Sequence, residues 1–250
     1  MRRSNPQLSA LLFIALVPSG YAQERVIEQC LAIENAFARN GVNELEAMQI
    51  DQGDLAVWEA LRHFRLAAAY IPEDQNRNAG HSIREGLKVV QEGLAVNPED
   101  VELLLLGAML DGQYLLLRPW RYFWNGRRGL RRLAKAEAID PKNPRIALVR
   151  GTAKFILPRI LGGSPREAES IFEHALSRER FPQTPFSESG LCRSGEWGQV
   201  DLLNWLARAQ SKLGKTELAR QTFERAARRS PKNHWVDLAI KGEGYEWTQD

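Results

Sequence analysis

The sequence predicts an all-α protein: a right-handed solenoid of about four helix pairs, with enlarged turns inside the pairs. Three observations lead there. Apolar and small residues recur at helical spacing rather than in alternation. Proline closes one segment after another, at Pro98, Pro141, Pro182 and Pro231. The strongest breakers, Pro158, Gly162, Gly163 and Pro165, fall inside a repeating unit rather than between units.

Residues 1–22 stand apart from the rest. Arg2 and Arg3 precede an apolar run from Leu8 to Val17, and small residues lead up to Ala22. This is the layout of a signal peptide cut after Ala22. The run is also too short to span a bilayer, which takes about 20 residues. No later segment is apolar enough to do so. The expected product is therefore an exported, periplasmic chain, 23–250, with no transmembrane segment. Its composition, 44% hydrophobic and 26% charged, suits one domain.

The elements can then be placed in order. A helix around 24–38 caps the first end. The unit 54–98 has Trp58 and Leu61 on its first helix, with Arg62 where a small residue belongs, and Val90 and Gly93 on its second. The unit 99–141 sets out Leu103, Leu106, Gly107 and Leu110, then Leu133 and Ala136. The unit 143–182 has Gly151, Phe172 and Ala175, with Ser164 as the cap of its second helix and Pro165 at the first helical position. The unit 200–233 is the most regular, and 234–250 holds a closing helix around Trp235–Lys241 and a polar tail.

Spacing between the small residues of paired helices locates the irregularities. Ala207 to Ala226 is 19 residues, Gly151 to Ala175 is 24, Gly107 to Ala136 is 29, and Arg62 to Gly93 is 31. The surplus falls between the first and second helix each time. It lies in 71–82, in 114–124 and around Gly162, so it should thicken one edge of the stack.

Residues 200–233 resemble a tetratricopeptide repeat over its full period. Leu203, Leu206, Ala207, Gly214, Ala219, Phe223, Ala226 and Pro231 match the family's anchors, and Gln210 departs from its usual aromatic. The resemblance implies a concave groove lined by first helices, and protein–protein contact as the function. Carried onto this chain, groove positions are Asp201, Asn204, Arg208, Ser211 and Lys212, with Arg150 and Lys154 on the preceding first helix by helical phase. Those cations could hold a peptide or a carboxylate, or could be ordinary exposed charges.

Charge is unevenly distributed: 24–117 carries a net −9, 118–159 a net +10, and 160–250 none. The basic stretch holds Arg118, Trp120, Arg121, Trp124, Arg127, Arg128, Arg131, Arg132 and Lys135. It reads either as a patch for an acidic surface or anionic lipid, or as a solvated outer face with its aromatics packing the turn. Nucleic acid is not expected as a partner of an exported chain. Neither an enzyme nor a cofactor is implied. His63, His81, His174 and His234 lack metal-ligand spacing, and Gly162-Gly163 lacks the lysine and strand of a phosphate loop. Cys30 and Cys192 are either one disulfide or two separate thiols. The leading functional expectation is a scaffold holding a segment of another cell-envelope protein. The alternative is a binding protein for a small anionic or lipid-like ligand, its enlarged turns closing a pocket.

Overall fold

The computed structural model describes residues 19–50, 55–118, 125–177 and 198–242, and among them every regular element is helical. Helix α1 (Ser19–Ala38) and the short α2 (Val42–Ala47) come first. Four pairs follow: α3 (Leu55–Tyr70) with α4 (Asn76–Val96), α5 (Val101–Leu117) with α6 (Arg127–Ile139), α7 (Pro144–Ile156) with α8 (Pro165–Ser177), and α9 (Gln199–Lys212) with α10 (Thr216–Arg229). Helix α11 (His234–Lys241) closes the stack. Among the described residues no helix is long and apolar enough to cross a membrane. Residues 1–18, most of the proposed leader, lie outside the described residues.

Local chemistry explains where the helices begin. The first amides of a helix have no partner within it, so a side-chain oxygen just upstream must supply one. Asp100 accepts from the Leu103 amide at 3.0 Å, Asn143 from the Arg145 amide at 3.0 Å, and Ser164 from the Glu167 amide at 3.2 Å. Asn233 accepts from the amides of Trp235 and Val236 at 3.1 and 3.3 Å, which starts α11.

The helices then bury their apolar stripes on one another. Leu103, Leu106 and Leu110 of α5 join the core built by α1, α3 and α4, while Leu148, Phe155, Phe172, Leu202 and Leu206 tie α7, α8 and α9. Close approach depends on small residues. A Cβ at Gly151 would sit 2.3 Å from the buried Phe172 ring.

The surplus residues are not all turn, as the spacing argument had expected. In the third unit they are: residues 157–164 leave α7, make a short 3₁₀ turn over Arg159–Leu161, and reverse at Gly162 with φ of 87°. Gly163 has no alternative there, because a Cβ would lie 1.6 Å from the Leu157 carbonyl oxygen. The first helix of that unit stops at Ile156. In the first unit the surplus lengthens helices, since α4 starts at Asn76 and the turn is only 71–75. Ala79, Ser82 and Ile83 are buried, so the segment gains a packed face as well as backbone hydrogen bonds by coiling.

Helix α1 packs on α3, and its Cys30 is fully buried and disulfide-bonded. Cys192, the other cysteine of the sequence, lies outside the described residues. The stack curves until its ends meet. The Trp235 indole of α11 lies parallel to the Phe37 ring of α1, with centroids 5.3 Å apart, and its Nε1 donates to the Phe37 carbonyl at 2.9 Å.

Candidate functional site: a central cavity closed by the two ends of the stack

The concave face holds a partly open cavity of about 590 Å³. Its wall is built from the inner faces of α3, α5, α7 and α9, completed by α6 and α11. Ala68, Met109, Leu116, Val149 and Ile156 supply much of the apolar surface, and Trp205 and Trp235 add aromatic faces.

Arg65 holds this wall together. It is 2% exposed. Its Nε and Nη2 donate to Glu34 of α1 at 2.8 and 2.7 Å, and its Nη1 and Nη2 donate to Asp201 of α9 at 3.0 and 2.7 Å. Phe37 and Phe64 lie 4.5 and 5.3 Å from the guanidinium carbon. Burial alone would favour losing the proton, but the two carboxylates outweigh it and hold the arginine's pKa above its ordinary value. One guanidinium thus links three helices, with Asp201 lying 136 positions further along the chain.

Elsewhere on the wall polarity is sparse. Arg208 lies over Trp205, 5.9 Å from the ring centroid, and burial pushes its pKa down to about 10. Gln113 is 7% exposed and donates through Nε2 to the Phe64 carbonyl at 3.1 Å. Its Oε1, the Thr152 hydroxyl and His234 Nε2 find no partner among the described residues. Among those residues, too, no group of three or more His, Cys, Asp or Glu could hold a metal ion.

The residues singled out from sequence separate into four groups. Asp201, Asn204 and Arg208 line the cavity, Asp201 as a partner of Arg65 and Asn204 as acceptor from Arg208 Nε at 3.4 Å. Ser211 and Lys212 are exposed beyond the lining, with the Lys212 ammonium 5.7 Å from the Phe155 ring centroid. Arg150 and Lys154 point away from the cavity: Arg150 pairs with Glu137 of α6, and Lys154 with Glu167 at 2.6 Å and the Gly162 carbonyl at 3.1 Å. The phase of α7 instead presents Val149, Thr152, Ala153 and Ile156.

The basic stretch divides too. Arg128 and Arg132 turn inward onto the buried carboxylate of Asp111, at 2.5 and 2.8 Å, because two cations there neutralise a charge water cannot reach. Arg127, Arg131 and Lys135 stay exposed along α6, as does Arg118 at the end of α5. Trp120, Arg121 and Trp124 lie outside the described residues.

Sequence reading missed Arg65, Gln113, Thr152, Trp205 and Trp235. Arg65 left a trace: it continues the Trp58–Leu61 stripe by four residues, so a charge was bound to be buried on that face.

Comparisons with known proteins agree with this architecture. The Tetratricopeptide repeat family profile matches residues 200–233, which form α9 and α10. That stretch of the chain is similar to a tetratricopeptide repeat. A thermophilic tetratricopeptide repeat protein of Thermus thermophilus superposes with a TM-score of 0.51 at 15% identity, covering 89% of this chain and 97% of its own. The HusA haemophore from Porphyromonas gingivalis superposes at 0.52 and 17% identity, covering 77% and 92%. No curated relative matches the sequence. These likenesses show the fold, an α-solenoid of paired helices.

Proposed function

We propose that this protein is exported and that its central cavity binds a compact ligand with an apolar body and an anionic group. The observation that carries this reading is the join between the ends of the stack. Trp235 on Phe37, with Arg65 gripping Glu34 and Asp201, joins the ends of the stack beside a partly open cavity of about 590 Å³. That volume lies within the roughly 300–1,000 Å³ typical of small-molecule sites. The apolar wall suits the body of the ligand, and Arg208 beside Trp205 offers a cation for its head group. One neighbour in fold is a haemophore. At 17% identity it speaks to fold alone, so haem is one probe among several. Export is supported by the N-terminal pattern and by the disulfide at Cys30, a bond typical of oxidising compartments.

Titration with haemin and with myristate, followed by tryptophan fluorescence, tests the cavity directly. Saturable quenching is expected for at least one probe. Arg208→Glu should weaken it about tenfold or more, as expected for a charge-assisted contact. Absence of saturable binding with both probes counts against the cavity. The mature protein should begin at Gln23 by mass spectrometry, and an intact leader on exported material would overturn the cleavage site.

A second reading keeps the protein as a scaffold for a segment of another cell-envelope protein. The exposed row Arg127, Arg131 and Lys135 favours it, since it offers an acidic partner or anionic lipid three cations on one outer helix. Crosslinking in the native envelope separates the possibilities. Capture abolished by Arg127→Glu with Arg131→Glu puts the partner on the outer face. Capture abolished by Arg208→Glu with Lys212→Glu puts it in the groove.

A further inference from the structure

We infer that the turn between α7 and α8 is a membrane contact: it sets Ile160 and Leu161 into an anionic phospholipid bilayer, with Arg159 and Arg166 on the lipid phosphates. The site is separate from the outer row of α6 and needs no occupant in the cavity. Ile160 is 91% exposed and Leu161 beside it 42%, and Arg159 and Arg166 are exposed on either side. A single apolar side chain in water is ordinary. Two in succession on a fixed turn form a point that water cannot satisfy. The turn is tied down from several sides. The Leu161 and Gly163 amides donate to the Pro158 carbonyl at 2.9 and 3.0 Å, the Gly162 amide to the Arg159 carbonyl at 3.0 Å, and the Ser164 amide to the Lys154 carbonyl at 2.7 Å. Lys154 Nζ adds a bond to the Gly162 carbonyl at 3.1 Å. Held outward in this way, the apolar pair loses little conformational freedom on meeting a partner.

Neighbouring turns share this border of the stack. Asn143 and Arg145, where α7 begins, donate to Glu102, where α5 begins, at 3.1 and 2.6 Å. These two first helices therefore start at one border and end at the other. Lys215, between α9 and α10, donates to Glu169 of α8 at 2.7 and 2.8 Å, which brings that turn beside the start of α8. The shared border adds the exposed cations Arg127 and Lys212 and a further apolar point, Leu218, 41% exposed. Its acids Glu167 and Glu217 pair with Lys154 and Arg220, both at 2.6 Å. At the opposite border Val96 is 89% exposed, but Glu99 and Asp100 follow it rather than cations. Protruding apolar points flanked by arginine suit a fluid leaflet, which yields around them while its phosphates accept from the guanidinium groups. An acidic protein would need a socket matched to each point.

Co-flotation of the full mature protein tests this, with vesicles of phosphatidylcholine alone and vesicles in which about a quarter of the lipid is phosphatidylglycerol. Binding to the anionic vesicles should be about tenfold tighter or more, since each cation near such a surface is worth about fivefold. Ile160→Ser with Leu161→Ser should weaken it about tenfold. Arg159→Glu with Arg166→Glu should weaken it at least as much. A polarity-sensitive fluorophore on Ile160→Cys should shift to the blue on anionic vesicles. All four side chains are exposed, so circular dichroism and Tm should not change in these variants. Absence of flotation on anionic vesicles overturns the inference and leaves the cavity reading untouched. Flotation that survives Ile160→Ser with Leu161→Ser, or a fluorophore that stays in water, also overturns it. Crosslinks from Ile160→Cys to an acidic envelope protein, without flotation, would give the turn to that protein instead.

Discussion

Arg65 is the residue on which most of the geometry converges. Its five N–H donors form a planar fork, and four of its contacts are taken by two carboxylates from helices at opposite ends of the chain. Removing such a partner from a buried cluster costs about 3–5 kcal/mol, because the remaining charges are left uncompensated. Glu34 and Asp201 keep some solvent contact, at 26% and 20% exposure, so the lower part of that range applies. Arg65→Met should therefore lower Tm by roughly 6–12 °C, read by calorimetry. Adding Asp201→Asn should recover part of the loss, since one stranded charge is gone. Glu59 offers a check through pH. Burial would raise its pKa, but hydrogen bonds from His63 and Arg62 prevail and hold it at about 2, below the ordinary 4.5. A carboxyl whose folded pKa is depressed stabilises above its unfolded pKa, and that contribution fades as pH falls from 4.5 towards 2. Partly exposed, it is worth no more than about 1 kcal/mol. Melts between pH 5 and 2.5 should fall less steeply in Glu59→Gln than in the unmodified protein.

At the scale of helices, pairing is controlled by where a helix lacks a side chain. Replacing a helical glycine by alanine ordinarily gains up to about 1 kcal/mol. At Gly151 that gain should be outweighed, because the new methyl would meet the fully buried Phe172 ring at 2.3 Å and overpacking costs about 1–3 kcal/mol. Gly151→Ala should be destabilising in urea, and Phe172→Leu in the same chain should relieve part of the effect. If Gly151→Ala is stabilising on its own, α7 and α8 are not held at this separation. The pairing and order of these helices were legible in sequence, because apolar period, capping residues and terminal prolines are all local. Partition of surplus residues between turn and helix was not. Residues 76–82 carry Asn, Gly and Ser and read as turn, but Ala79 and Ile83 find a surface to cover. That surface belongs to tertiary packing.

For the molecule as a whole, end-to-end contact changes what a solenoid is. An open stack couples each unit to its neighbours alone and can fray from either end. Here α3 is tied to α9 and α1 to α11. Trp235→Ala should raise hydrogen exchange in α11 and in the Phe37 end of α1, while α7 and α8 keep their protection. Asp201→Asn should raise exchange in α1 and α3 as well as in α9. Confinement of that change to α9 would mean the ends move independently and the cavity is open in solution.

The sequence by itself determined the helical class, the four pairs, the Ser164 cap and the breakers. Each of these follows from interactions within a turn or two of chain, where residue type and spacing suffice. The resemblance of residues 200–233 to a repeat family put Asp201, Asn204 and Arg208 on the inner face, whereas helical phase on α7 put Arg150 and Lys154 there and the cavity lining does not include them. Tertiary structure alone decided that the ends meet, and that Arg128 and Arg132 pair with the buried Asp111. Those outcomes depend on the angle accumulated over successive packed helices. A small rotation at each step decides whether the two ends touch, and no local pattern of residues encodes that sum.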